Sequence, residues 1–153
     1  MSPQIVPADG EELVLYEGRT FVPTWTLYDT YLAEGDPGNV PTDFTDWEGY
    51  LTITGKDGAT VKQLTTATGV LPTNLTQGVS GVVLDAYNDG GIAGILTDED
   101  AALLTPEMFE EDTDDEGETI YLGRYDLTLQ DQAGQRFPFE TGILRFVPLP
   151  AIP

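Results

Sequence analysis

The chain contains no cysteine and no histidine among its 153 residues. Without cysteine it can form neither a disulfide nor a thiolate metal site, and without histidine it lacks the commonest general base and transition-metal ligand. Serine is nearly absent as well: Ser2 and Ser80 are the two in the chain, and no histidine can activate either as a nucleophile. We therefore expect a protein that is not an enzyme and needs no cofactor. The lack of cysteine also suits assembly in a reducing cytoplasm.

Basic residues are also scarce. Six Lys and Arg stand against 27 Asp and Glu, which gives a net charge of −21. Such a polyanion repels nucleic acid and anionic membrane surfaces, so we expect neither as a partner. High charge keeps a free subunit soluble, and a basic docking surface on a partner protein is the alternative interpretation.

Long hydrophobic runs are also missing. No stretch approaches the roughly 18 apolar residues of a membrane span, and the first residues have neither the basic start nor the apolar segment of a secretion signal. We expect residues 1–12 to form an extended N-terminal arm, 13–148 a single β-domain and 149–153 a C-terminal tail.

What the chain does have is turn chemistry and strand periodicity. Its 17 Gly and 11 Pro favour many short strands over long helices. Apolar residues alternate from 20 to 28, and two longer alternating runs flank a turn at Gly134, which predicts a closing hairpin. One short helix is predicted after Leu96, with Thr97 as its N-cap. The side chains expected in the core are Phe21, Trp25, Leu27, Leu51, Ile53, Tyr125, Leu127, Leu129, Leu144 and Phe146.

Residues 107–118 hold eight acids in twelve positions. We interpret this segment as a solvated loop whose charges cannot pack. The spacing of its oxygen-bearing side chains resembles the start of an EF-hand loop, but Gly123 occupies the position where that motif needs a bidentate Glu. A looser calcium site at Asp112, Asp114 and Glu116 remains the alternative, since crowded carboxylates gain from a divalent ion.

Four short motifs carry a family resemblance. They are Gly18-Arg19-Thr20-Phe21, then the 41–47 segment Pro-Thr-Asp-Phe-Thr-Asp-Trp, then the 123–134 segment from Gly-Arg-Tyr to Gly134, and finally Gly142-Ile143-Leu144-Arg145-Phe146. In this order the chain resembles the small β-domain of tailed-phage virion proteins, including the N-terminal domains of baseplate upper proteins. The resemblance implies an all-β fold, an immunoglobulin-like β-sandwich of about seven or eight strands with one short helix and extended terminal arms.

The resemblance also implies a structural role in a virion assembled in the host cytoplasm. We expect a part of the tail, baseplate or fibre-attachment apparatus that binds other virion proteins and is present in several symmetric copies. The expected contacts are the long loop at 29–41, the acidic segment at 107–118, and the terminal residues Ile5, Val6, Pro7, Leu149 and Ile152.

Two alternatives use the same sandwich. One is a capsid decoration or cement protein that binds the major capsid protein of the head shell. The other is a carbohydrate-binding module on a receptor-binding fibre, which needs exposed aromatic rings in a shallow groove. The side chains to inspect for that activity are Tyr28, Tyr31, Tyr50 and Tyr87.

Overall fold

The computed structural model describes residues 8–9, 11–66, 80–84 and 91–149. This part of the chain is built mainly of β-strands, eight of which have four or more residues. Its one α-helix, α1, spans Asp98–Ala101, and 3-10 turns lie at Lys56–Gly58 and Pro106–Met108. The strands are β1 (Ala8–Asp9), β2 (Leu13–Tyr16), β3 (Thr24–Thr26), β4 (Tyr28–Thr30), β5 (Val40–Pro41), β6 (Glu48–Thr54), β7 (Thr60–Thr65), β8 (Gly81–Leu84), β9 (Gly91–Ile95), β10 (Glu110–Thr113), β11 (Thr119–Gln130) and β12 (Arg136–Val147).

The strands form two main sheets. The strand order in the larger sheet is β7, β6, β11, β12, β1. The first residues of β11 pair with β10 and the rest pair with β6, while β2 lies parallel to the end of β12. The smaller sheet runs β3, β9, β8, while β4 and β5 pair only with each other. Buried side chains of both main sheets form one hydrophobic cluster, so the two sheets are the layers of a sandwich.

The strand order is that of an immunoglobulin-like domain. In that fold the strands G, F, C and C′ share one sheet, and B, E and D share the other. Here β12, β11, β6 and β7 occupy the first set of positions, and β3, β9 and β8 the second, in the same order along the chain. The expected all-β, immunoglobulin-like sandwich with one short helix is confirmed.

Alternation along the strands decides which side chains enter the core. On β11, every second residue from Tyr125 to Leu129 is buried, and the same holds on β12 from Gly142 to Phe146. Nine of the ten side chains expected in the core are buried. The exception is Trp25, which is half-buried and packs against the edge of the cluster.

Trp25 is held by polar contacts as well as by packing. Its indole Nε1 donates a hydrogen bond to the carboxylate of Glu140, and its ring centroid lies 6.4 Å from that of Tyr125. The buried Tyr125 hydroxyl is 2.7 Å from the backbone oxygen of Glu11 and 3.2 Å from Glu140 Oε2. Strands B and F, which antibody domains join by a disulfide, are thus joined here by an aromatic and hydrogen-bonded network.

The acidic segment is not the loop that its charge predicts. Glu110–Thr113 forms β10, which pairs antiparallel with β11 from Glu110↔Leu122 to Thr113↔Thr119. All four of its side chains are exposed, so the strand satisfies its backbone groups without burying a charge. High charge therefore did not prevent pairing, because the charges point into water on an edge strand.

The expected N-terminal arm, residues 1–12, is not wholly separate from the sandwich. Ala8–Asp9 pairs in parallel with Glu140 and Thr141 of β12, so these two residues belong to the sheet. Parallel pairing continues at β2, from Leu13↔Leu144 to Tyr16↔Val147. Residues 1–7, 10 and 150–153 lie outside the described residues. Within the described part, no helix is long and apolar enough to cross a membrane.

The predicted helix start is confirmed. Thr97 is the N-cap of α1, and its hydroxyl accepts a hydrogen bond from the Asp100 amide. Three acidic residues, Asp98, Glu99 and Asp100, occupy the first turn, where they face the positive end of the helix dipole. Pro106 then begins the 3-10 turn that leads to β10.

Candidate protein-binding site

The connection between β3 and β6 contains a small hairpin, residues 28–41, built from β4 and β5. In an immunoglobulin-like sandwich this is the B–C connection, one of the loops at the end of the domain where variable domains bind antigen. Loops on a rigid scaffold are where binding residues concentrate. The 28–41 hairpin is therefore the first place to look for a contact surface.

Hydrogen bonds within the hairpin hold its turn in one conformation. The Asn39 side chain accepts from the Leu32 amide and donates to the Ala33 carbonyl oxygen, each at 2.7 Å. Asp36 Oδ1 accepts from the Gly38 amide at 2.7 Å, and the Asp36 amide donates to the Ala33 oxygen at 3.0 Å. A β-carbon on Gly38 would lie 2.8 Å from Leu32 Cδ1, so the Leu32 side chain rests directly on this glycine.

The base of the hairpin is tied to the sandwich. The Thr42 amide donates to the Leu27 oxygen at 3.0 Å, and its buried hydroxyl donates to Asp29 Oδ1 at 3.0 Å. Phe44 is buried just after the hairpin and meets Trp47 edge-on, with ring centroids 5.3 Å apart. Trp47 in turn stacks on Phe137 of β12 at 6.4 Å. The segment that follows the hairpin is thus anchored in an aromatic cluster.

This well-braced hairpin presents apolar side chains to water. Tyr31 and Leu32 are 59% and 62% exposed, and Val40 is exposed on the neighbouring strand. Tyr31 also packs against Tyr28, with ring centroids 5.2 Å apart. We call Tyr31, Leu32 and Val40 the apolar tip. A sequence signal for it exists, since these three side chains interrupt a segment that is rich in turn-forming and acidic residues.

Of the four tyrosines considered for carbohydrate binding, the three within the described residues do not line one groove. Tyr28 and Tyr31 pair with each other on the hairpin, whereas Tyr50 lies on β6 of the large sheet. Tyr87 is outside the described residues. Tyr50 borders an open concavity of about 230 Å³, which is otherwise lined by Thr52, Gln63, Thr128 and Arg136.

Polar groups in this concavity already bind one another. The Arg136 guanidinium lies 5.0 Å from the Tyr50 ring centroid and donates from Nε to Gln130 Oε1 at 2.9 Å. The Tyr50 hydroxyl donates to Glu48 Oε2 at 2.5 Å, and this hydrogen bond raises the pKa of Tyr50. The ring face that a sugar would stack on is therefore covered by arginine.

The calcium site considered at Asp112, Asp114 and Glu116 is not assembled. Asp112 Oδ1 accepts from the Thr113 amide at 2.8 Å, and Asp114 Oδ1 accepts from the Glu116 and Glu118 amides at 2.9 Å each. Asp114 thus uses an oxygen to close its own turn. Among the described residues, no three acidic side chains are grouped so that they could hold a metal ion.

Of the terminal residues expected to bind partners, Leu149 is within the described part. Its side chain is exposed, and its amide donates to Glu17 Oε2 at 2.9 Å. Ile5, Val6, Pro7 and Ile152 lie outside the described residues.

Comparison with known proteins does not assign the chain to a family. No protein-family model matches it, and no curated protein does. A solved structure of Drosophila OTK, extracellular domains 3-5, aligns with 94% of this chain and 35% of its own length, at 17% identity and a TM-score of 0.35. The chain thus spans about a third of that structure, and no function follows from the likeness.

Proposed function

We propose that the protein is a non-catalytic structural component of a bacteriophage particle, in the tail, baseplate or fibre-attachment apparatus, and that it binds a neighbouring virion protein through the apolar tip of the 28–41 hairpin. The virion setting is supported by the sequence motifs at 18–21, 41–47, 123–134 and 142–146. The mode of action, protein–protein binding, is supported by the geometry of the hairpin.

The observation that carries the proposal is an exposed apolar tip on a pre-ordered hairpin. Leu32 is 62% exposed, yet its backbone amide is fixed by Asn39 and its side chain rests on Gly38. Ordering a loop during binding costs free energy, and a loop that is already ordered avoids this cost. Aromatic and aliphatic side chains in such a position are the kind that anchor protein interfaces.

Replacing Tyr31 and Leu32 together by serine tests the role of the tip. Both side chains are exposed, so we expect the melting temperature to stay close to wild type while incorporation into particles falls by at least about tenfold. The matched control is Leu103→Ser, which removes an equally exposed leucine (67%) elsewhere on the domain. Incorporation would be measured by quantitative mass spectrometry of purified particles.

The identity of the partner follows from cross-linking mass spectrometry on the same particles. Cross-links from the 28–41 hairpin to tail tube, baseplate or fibre chains are the expected result. Cross-links to the major capsid protein would replace this proposal with the decoration alternative. Wild-type incorporation of the double serine variant would show that the tip is not the contact.

A further inference from the structure

The outward side of the large sheet carries a second exposed apolar surface. It lies on β2, β12 and the first half of β11, opposite to the side chains that enter the core. Tyr16 and Ile143 are 49% and 46% exposed, and Val14 is exposed between them. Leu122 and Val147 are half-buried on the same side. We call this surface, together with the outward side of β10, the outer face.

Half of the basic residues in the chain lie on the outer face or next to it. Arg145 is directly opposite Val14 and Leu122 in the strand register, and Arg124 is opposite Ile143. The guanidinium of Arg19 lies 5.8 Å from the ring centroid of Tyr16. In a chain with six basic and 27 acidic residues, three arginines around one apolar surface create a local region of positive charge.

Acidic side chains border the same surface on its other side. Glu110 is directly opposite Leu122, and Asp112 is opposite Ile120, both on β10. Directly opposite residues of paired strands point to the same side of a sheet. One row of directly opposite residues therefore crosses the outer face, and from the β10 side to the β2 side its members are Glu110, Leu122, Arg145 and Val14.

We propose that the outer face binds a second copy of this chain in a two-fold symmetric dimer. Consider a two-fold axis that lies in the interface and runs parallel to β11 and β12. It keeps each residue at the same height along the strands and brings the β10 edge of one copy opposite the β2 edge of the other. The acidic β10 side of one copy then faces the arginine-bearing β2 side of the other. A surface that is complementary to itself in this way is what a two-fold interface requires.

The proposed axis pairs specific groups. At the level of Leu122, it places Arg145 of one copy over Leu122 of the other and within reach of Glu110. At the Tyr16 end, it places Arg19 of one copy near Asp112 of the other. Each pair occurs twice, and the apolar residues on β11 and β12 lie between the pairs. Charge complementarity thus selects a second copy, in one orientation, as the occupant of the outer face.

This inference goes beyond the proposed function, because the outer face and the apolar tip are separate surfaces. Sedimentation equilibrium of the purified chain measures the dimer directly, without particles. We expect a monomer–dimer equilibrium at micromolar concentrations, and Val14→Asp should weaken dimerisation by at least about tenfold, because the proposed axis places this position opposite Glu110 of the other copy. Leu103→Asp, an equally non-conservative change at an exposed site off this face, should leave the equilibrium unchanged.

Charge reversal tests the orientation. Arg19→Glu alone and Asp112→Arg alone should each weaken the dimer several-fold, whereas the two changes in one chain should restore it, since each copy again meets an opposite charge. Mixing the two single variants should also yield a heterodimer stronger than either homodimer. A wild-type chain that stays monomeric at about 100 µM would overturn the proposal, and a double variant weaker than both singles would overturn the two-fold arrangement.

Discussion

At the scale of single residues, the sandwich is joined at its middle by Trp25, Tyr125 and Glu140. Trp25 comes from the small sheet, and the other two come from neighbouring strands of the large sheet. The carboxylate of Glu140 accepts from the Trp25 indole and lies 3.2 Å from the Tyr125 hydroxyl, so it contacts a polar group from each sheet. In a domain without cysteine, this network takes the place of a covalent link between the sheets.

The first prediction concerns the indole N–H. Trp25→Phe keeps most of the ring but removes the donor to Glu140, and hydrogen bonds to charged groups contribute about 1.5–3 kcal/mol. We expect the free energy of unfolding to fall by that amount in urea titration. Trp47→Phe is the matched control, because Trp47 is likewise half-buried but contacts Phe44 and Phe137 through its ring. Equal losses in the two variants would contradict a specific role for the Trp25–Glu140 bond.

The second prediction is a pH dependence. Burial, together with the nearby charge of Glu140, raises the pKa of Tyr125 from 10.0 to about 12. The protonated phenol is therefore favoured in the folded state, so its stabilising effect is complete below pH 10 and is lost as the pH rises toward 12. Tyr125→Phe should lower the melting temperature at pH 8 but reduce the further loss between pH 10 and pH 12.

The control for that experiment is Tyr31→Phe, which removes one phenol from the exposed hairpin. It corrects for the general effect of losing a phenol from the chain. If Tyr125→Phe lost stability between pH 10 and pH 12 as steeply as Tyr31→Phe, the buried hydroxyl would not be the group that titrates.

Sequence reasoning reached the aromatic partners but not the carboxylate. Period-two alternation places Trp25 on the inward side of its strand, and it does the same for Tyr125. Glu140 is 115 positions from Trp25, and nothing in a local pattern distinguishes it from the 26 other acids. Long-range polar contacts of this kind depend on strand pairing, which alternation alone does not give.

At the scale of elements, two hairpins of the large sheet use the same turn. In the segments 114–118 and 131–135, an Asp is followed three residues later by a Gly with positive φ, +83° at Gly117 and +85° at Gly134. In both, the Asp amide donates to the carbonyl oxygen four residues on at 2.9 Å. The Asp carboxylate also accepts two amides of its turn, from Glu116 and Glu118 in one and from Ala133 and Gln135 in the other.

The shared turn is the sequence signal that indicates β10. The sequence predicts the turn at Gly134, and the equivalent pattern at Gly117 lies four residues after the end of β10. The surrounding acids favour a loop on composition alone, but on an exposed edge strand a charged side chain costs little. The turn pattern predicts β10 better than composition does, because it depends on backbone conformation and not on the charge of the flanking side chains.

The third prediction compares the two turns. Gly117→Ala and Gly134→Ala each force a β-carbon into the left-handed region, at a cost of about 1 kcal/mol. At Gly134 the turn joins β11 to β12, so the cost should appear in global unfolding. At Gly117 it should appear as faster amide exchange confined to β10 and its partners on β11, with little change in melting temperature. Equal melting temperatures for both variants would show that β10 unfolds with the whole domain.

The fourth prediction concerns the 28–41 hairpin. Asn39→Ala removes both side-chain hydrogen bonds that fix the turn, to Leu32 and to Ala33. We expect faster amide exchange at 31–39 and weaker incorporation into particles, while the melting temperature changes little because the bonds are exposed. Asn39→Asp is the informative comparison, since it keeps the acceptor for the Leu32 amide but loses the donor to Ala33. Full incorporation of Asn39→Ala would show that pre-ordering of the hairpin is unimportant for binding.

At the scale of the whole molecule, the fold class followed from sequence, but the arrangement of strands did not. Turn spacing and alternation predict the β11–β12 hairpin, whose two strands are neighbours in the chain. The parallel pairing of β1 and β2 with β12 joins residues more than a hundred positions apart. The outer face depends on that pairing, since β2 carries Val14 and Tyr16 while β12 carries Ile143 and Arg145. A surface composed across distant strands has no signature in any one segment.

The last prediction concerns the net charge of −21. Like charges repel one another more in the compact state than in the unfolded chain, and salt shortens the range of this repulsion from about 20 Å at 0.02 M to about 4 Å at 0.5 M. The melting temperature should therefore rise by several degrees over this range. Measuring it on the Val14→Asp variant, whose dimer should be weaker, limits the contribution from dimerisation.

A variant with Glu111→Gln, Asp115→Asn and Glu116→Gln provides the control for this charge effect. All three side chains are exposed on or beside the β10 turn, and none belongs to the proposed ion pairs of the outer face. With three fewer negative charges, the domain should melt higher at low salt and respond less to added salt. A melting temperature that fell with salt would mean that attractive ion pairs, rather than overall repulsion, dominate the electrostatics of the folded domain.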